Sequence, residues 1–110
     1  MLTAPAIDVA FRALSDPTRL RVIERLCLGP ASMTELLHPF SISMPTLSKH
    51  LGILESSGLV RSRKHGRVRT FHLVAERLEQ AEHWLGRQRR LWERRLDQLD
   101  EYLQTMKEET

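Results

Sequence analysis

S-M-P-T-L-S-K-H-L-G-I-L-E-S-S, from Ser43 to Ser57, runs directly into G-L-V-R-S-R-K-H-G-R-V-R-T-F-H-L, from Gly58 to Leu73. In the first stretch Leu47, Leu51 and Leu54 recur at i, i+4 and i+7, while Thr46, Ser48, Lys49, His50 and Gly52 fall mostly on other faces. That spacing predicts a short amphipathic helix. The second stretch predicts a hairpin: Arg61, Arg63, Lys64, Arg67 and Arg69 alternate with Ser62, Val68 and Thr70 around a turn candidate at His65-Gly66. A polar-faced helix beside a basic two-stranded ribbon can place one element in a DNA groove and hold the flanking phosphates. The same basic hairpin also has a plainer reading as a solvated surface.

The chain has 110 residues, which suits one domain with a core of its own. Hydrophobic residues make up 41% against 28% charged, so there is enough apolar material to offset the entropy of ordering. Cys27 is the single cysteine, which excludes an internal disulfide and any CxxC zinc or redox motif. No apolar run approaches the ~20 residues of a membrane span, and the amino terminus lacks the basic region of a secretory signal. A soluble, cytoplasmic protein is expected, with no membrane partner. The net charge of +3 is unevenly spread: residues 1–74 hold ten Lys and Arg against five acids, and residues 75–110 hold seven against nine. Between Lys49 and Arg69 six basic residues face only Glu55, the footprint expected of phosphate neutralisation.

Upstream, Ile7, Val9, Ala10, Phe11 and Leu14 suggest a first helix closed before Ser15-Asp16-Pro17. Asp16 as N-cap and Pro17 at the first helical position open a second, with Leu20, Val22, Ile23, Leu26 and Cys27 as its apolar face and Gly29-Pro30 as its end. Cys27 is expected as a small core residue. Ser32-Met33-Thr34-Glu35 is a capping box for a third helix that Pro39 curtails, and Ser43 caps the helix quoted first. Two short helices joined by a brief turn predict a helix-turn-helix.

From Ala75 the scale changes. Leu78, Leu85, Trp92, Leu99 and Met106 lie seven apart, predicting one helix of about 30 residues interrupted only by Gly86. A core this small cannot cover such a stripe. Pairing with the same helix of a second chain, helped by the first helix, is therefore expected, and a helix folded back on its own domain is the alternative.

The segments A-L-S-D-P-T-R-L-R-V-I (Ala13–Ile23), S-M-P-T-L-S-K-H-L-G-I-L-E-S-S-G-L-V (Ser43–Val60) and R-K-H-G-R-V-R-T-F-H-L (Arg63–Leu73), in this order and followed by the long helix, resemble the ArsR family of winged helix-turn-helix transcriptional regulators. The resemblance implies a mainly α fold with a small β-hairpin wing, dimerising through its first and last helices. It also implies a homodimeric repressor that releases its operator when an effector arrives. The chain would then be a single domain over 1–110, with a DNA-binding core at 15–74 and a dimerisation helix at 75–108. Where metal-sensing members carry E-L-C-x-C, this chain has Glu35-Leu36-Leu37-His38-Pro39, and the last helix holds His83 without a D-x-H or H-x-x-E partner. A metal-independent branch with an unidentified effector is therefore expected, with no metal and no cofactor.

On this reading Ser43, Pro45, Thr46, Lys49 and His50 are the candidates for base contact. Ser48, Arg61, Arg63, Lys64, Arg67 and Arg69 are the candidates for phosphates, with Lys64 to Arg67 able to reach the minor groove. Leu78, Leu85, Trp92, Leu96, Leu99 and Leu103 are the dimer candidates, and the DNA partner is a double-stranded inverted repeat. No paired carboxylate, glycine-rich phosphate loop or nucleophile beside a base argues for an enzyme. Two alternatives stay open: a metal- or redox-responsive repressor of the same family, and a winged-helix protein-interaction module that does not bind DNA.

Overall fold

The computed structural model describes residues 3–109; Met1, Leu2 and Thr110, at the ends of the expected 1–110 unit, lie outside it. Five helices and three short strands follow one another: α1 (Thr3–Ala13), α2 (Pro17–Leu26), β1 (Ala31–Ser32), α3 (Met33–Leu37), α4 (Met44–Ser56), β2 (Val60–His65), β3 (Val68–Leu73) and α5 (Ala75–Glu109). Each early boundary has a local cause. Asp16 accepts from the Thr18 and Arg19 amides at 2.8 and 3.1 Å and caps α2. Ser32 and Glu35 form the reciprocal capping box of α3, the Glu35 amide donating to Ser32 Oγ and the Ser32 amide to Glu35 Oε1.

Helix α4 ends in a Schellman motif. The Gly58 amide donates to the Glu55 carbonyl and the Leu59 amide to the Leu54 carbonyl, with Gly58 at φ +82°. This reversal drops Leu59 and Val60 into the core and starts the hairpin. Val22, Leu36, Leu47, Leu51, Leu54, Leu59, Val60 and Phe71 are the largest fully buried side chains, so the three leucines of α4 anchor it from below. Two members of the expected α2 face are not in that core: Leu20 is 46% exposed, and Cys27 caps the carboxyl end of α2 as an exposed thiol. Both lie at one edge of the apolar arc, about 20° apart around the helix, beyond the part that the small domain covers.

The sheet is antiparallel in the order β1-β3-β2, so the expected hairpin gains a third strand. Ala31 pairs with Phe71 and Ser32 with Thr70, which ties the start of α3 to the wing. In the hairpin His65 pairs with Val68, which leaves Gly66 and Arg67 as the turn, one residue later than expected. Gly66 has φ +64° and Arg67 has a negative φ, the pattern of a II′ turn with glycine at its first central position.

Candidate nucleic-acid interface

The amino-terminal half of α4 presents its polar side outward because its leucines fix the opposite side inward. Ser43, Pro45, Thr46, Ser48 and Lys49 are all exposed. Ser43 is also the N-cap: its hydroxyl accepts from the Thr46 amide at 3.3 Å and lies 2.9 Å from Thr46 Oγ1. Both hydroxyls thus have an internal partner and spare hydrogen-bonding capacity. Lys49 makes no hydrogen bond or ion pair among the described residues.

His50 stands apart from the other base-contact candidates. Its ring is half-buried, with Nδ1 at 3.1 Å from Arg19 Nη1 and 3.8 Å from Asp16 Oδ2. A guanidinium can only donate, so Nδ1 accepts and the neutral ring carries its proton on Nε2. Arg19 Nε also donates to the Ala13 carbonyl at the end of α1, at 2.6 Å. One arginine thereby joins the ends of α1 and α2 to the middle of α4. The Asp16 carboxyl is held below its ordinary range, first by the Arg19 amide, then by the Thr18 amide and the charge of Arg19, which together outweigh desolvation. Glu35 is lowered in the same direction by the Ser32 amide and hydroxyl.

The wing arranges its cations on two faces. Register puts Arg61, Arg63 and His65 on one face with Val68, Thr70 and His72, and Ser62 and Lys64 on the other with Arg69 and Phe71. Arg61, Arg63, Lys64, Arg67 and Arg69 are all exposed. Lys64 and Arg69 are directly opposite, a like-charge pair that disfavours the bare hairpin and that an anion between them would relieve. Arg69 has a second task, donating to Ser62 Oγ at 2.8 Å while that hydroxyl donates to Glu55 Oε2 at 2.9 Å. This chain of bonds fixes the wing against the last turn of α4. Sequence reasoning pairs neither Glu55 with the wing nor Arg19 with His50. The isolated acid in a basic run is the one visible signal for the first, and the second has none.

Helix α5 leaves the domain as a 35-residue rod about 52 Å long. Its first turns pack at home: Ala81 is buried, Leu78 is half-buried against the core, and Trp84 meets Phe11 edge-on with ring centroids 5.7 Å apart. Leu85, Trp92, Leu96, Leu99 and Leu103 are exposed, Trp92 by 63%. Leu78 therefore differs from the other five dimer candidates in having an intramolecular partner. Among the described residues no three His, Cys, Asp or Glu side chains converge as a metal site, and no helix is long and apolar enough to cross a membrane.

A helix pair ending in an exposed helix, buttressed by a three-stranded sheet whose hairpin projects beside it, defines a winged helix-turn-helix protein. Residues 14–63 match the family pattern described as a helix-turn-helix domain. The chain is 38% identical over 73 residues to the HTH-type transcriptional regulator Rv2034 of Mycobacterium tuberculosis, covering 66% of this chain and 68% of that one. It is 36% identical over 73 residues to the arsenical resistance operon repressor of Staphylococcus xylosus, covering 66% and 70%. The crystal structure of an ArsR family transcriptional regulator superimposes with a TM-score of 0.78 at 43% identity, over 82% of this chain and 93% of that one. The chain belongs to the ArsR family of winged helix-turn-helix transcriptional regulators.

Proposed function

We propose that the protein is a sequence-specific, DNA-binding transcriptional repressor that acts in the cytoplasm as a homodimer and is released by an effector. The observation that carries this reading is the exposed row Pro45, Thr46 and Lys49 on α4, held by the buried leucines beneath it and flanked by a wing whose five basic side chains are all exposed. In this reading the amino-terminal turn of α4 enters the major groove, with Thr46 and Lys49 toward base edges. Ser48 and the helix amino terminus take a phosphate. Arg61, Arg63, Lys64 and Arg67 hold the flanking backbone, with the Gly66-Arg67 turn reaching toward the minor groove. Ser43 and His50 act chiefly as supports, one as cap and the other as the joint to Arg19. The short side chains leave part of the discrimination to DNA shape.

The exposed stripe Leu85, Trp92, Leu96, Leu99 and Leu103 supports pairing of α5 with a second copy, since covering the roughly half of each such side chain that is open gains about 1 kcal/mol. Two copies related by a two-fold axis call for an inverted-repeat operator. Glu35-Leu36-Leu37-His38-Pro39, from the last turn of α3 to just past it, offers no thiolate, which supports a metal-independent member. A salt titration of binding to duplex DNA tests the reading against an interaction module. Several phosphate contacts predict a steep fall of affinity with salt and an operator preference, and a flat, weak response contradicts it.

A further inference from the structure

Helices α1 and α4 leave a groove of about 380 Å³ between them, within the size range of small-molecule sites. Its walls are apolar, with Val9 from α1 and Ile53 from α4 each more than a third exposed and Ala13 between them. Gly52 also lines it. A Cβ at Gly52 would meet nothing within 4 Å, so no close approach in this fold calls for the missing side chain. A mid-helix glycine nevertheless costs about 1 kcal/mol relative to alanine. Room for a bound molecule gives that glycine a reason.

The charged groups lining the groove are both cationic. Lys49 is unpaired among the described residues, and Arg12 is held only by Asp8 at 2.7 Å in an exposed pair of the kind that contributes about 0–1 kcal/mol. Apolar walls under two cations are complementary to an amphipathic monocarboxylate. The geometry points to an effector site here: the hydrocarbon tail lies between Val9 and Ile53, and the carboxylate takes Lys49 and Arg12. Bound in this way, the ligand takes from α4 the cation that would meet DNA. The regulatory half of this inference rests on the DNA-binding role proposed above for Lys49, and the binding half does not.

Calorimetric titration of the full chain with octanoate, and with octanol and octylamine as matched probes, tests the binding half without DNA. Saturable binding of one octanoate per chain is expected, with both other probes weaker by about tenfold or more, the size of a lost charge-assisted bond. Lys49→Met and Val9→Glu, both at exposed positions, should each weaken octanoate by a similar factor and leave the unfolding midpoint unchanged. Unsaturable uptake of all three probes, or variants that bind octanoate as the natural chain does, overturns the site. Octanoate should then weaken duplex-DNA binding by the natural chain and not by Val9→Glu. Octanoate that binds and leaves DNA affinity unchanged overturns the effector role. Absence of duplex binding from the start overturns the proposed function, and the octanoate titration still decides the groove.

Discussion

Arg19 Nη1 lies 3.1 Å from His50 Nδ1, across 31 residues of sequence, and the same guanidinium holds the Ala13 carbonyl at 2.6 Å. The D-P-T-R-L segment thus sets the position of α4 as well as the start of α2. Arg19→Ala leaves a helix-end carbonyl and a half-buried imidazole without their donor. Urea unfolding should show a loss of about 1–2 kcal/mol.

Asp16 has a folded-state pKa below its unfolded value, so its contribution to stability is fully present above the unfolded value and is lost as pH falls through the folded one. Glu35 acts in the same direction. Stability should be flat above about pH 5 and decline below about pH 4. Asp16→Ala should cost about 1 kcal/mol at neutral pH and make the acid decline shallower, as read from unfolding curves across pH.

Lys49 and Arg67 differ in what they would meet. Arg67→Ala should weaken binding about equally on all duplexes and reduce the slope of log affinity against log salt by about 1. Lys49→Ala should instead cost about 1–3 kcal/mol on the preferred site and less on random DNA. Fluorescence anisotropy on both duplexes at several salt concentrations separates the two outcomes.

Leu99 lies on the exposed stripe of α5, far from the core that holds the domain together. Leu99→Glu should leave the unfolding of the domain intact, shift the sedimentation coefficient from dimer to monomer, and remove most of the operator affinity because the second half-site is lost. A monomeric natural chain would contradict the assignment of that stripe.

Most of the architecture was legible because its signals are local. The Asp16-Pro17 start, the Ser32/Glu35 box, the leucine spacing of α4 and the seven-residue spacing of α5 each depend on neighbours within a turn or two. What escaped is non-local. Strand β1 is two residues long and exists only because β3 pairs with it, and no periodicity reports that. The turn slipped by one residue because glycine fits either central position, and the cross-strand register decides between them. Cys27 and Leu20 belong to the apolar arc of α2, but helical spacing does not tell how much of an arc the rest of the fold will cover. Among the candidate site residues, types and exposure were readable on α4 and the wing. The ties of His50 to Arg19 and of Arg69 through Ser62 to Glu55 depend on packing.

The central claim is that α4 and its wing form one half of a two-fold DNA reader, and selection of bound duplexes from a random pool tests it most directly. The account predicts enrichment of an inverted repeat whose half-sites are about one helical turn, or a multiple of one, apart. Recovery of a single unrepeated half-site, or no enrichment at all, would contradict it.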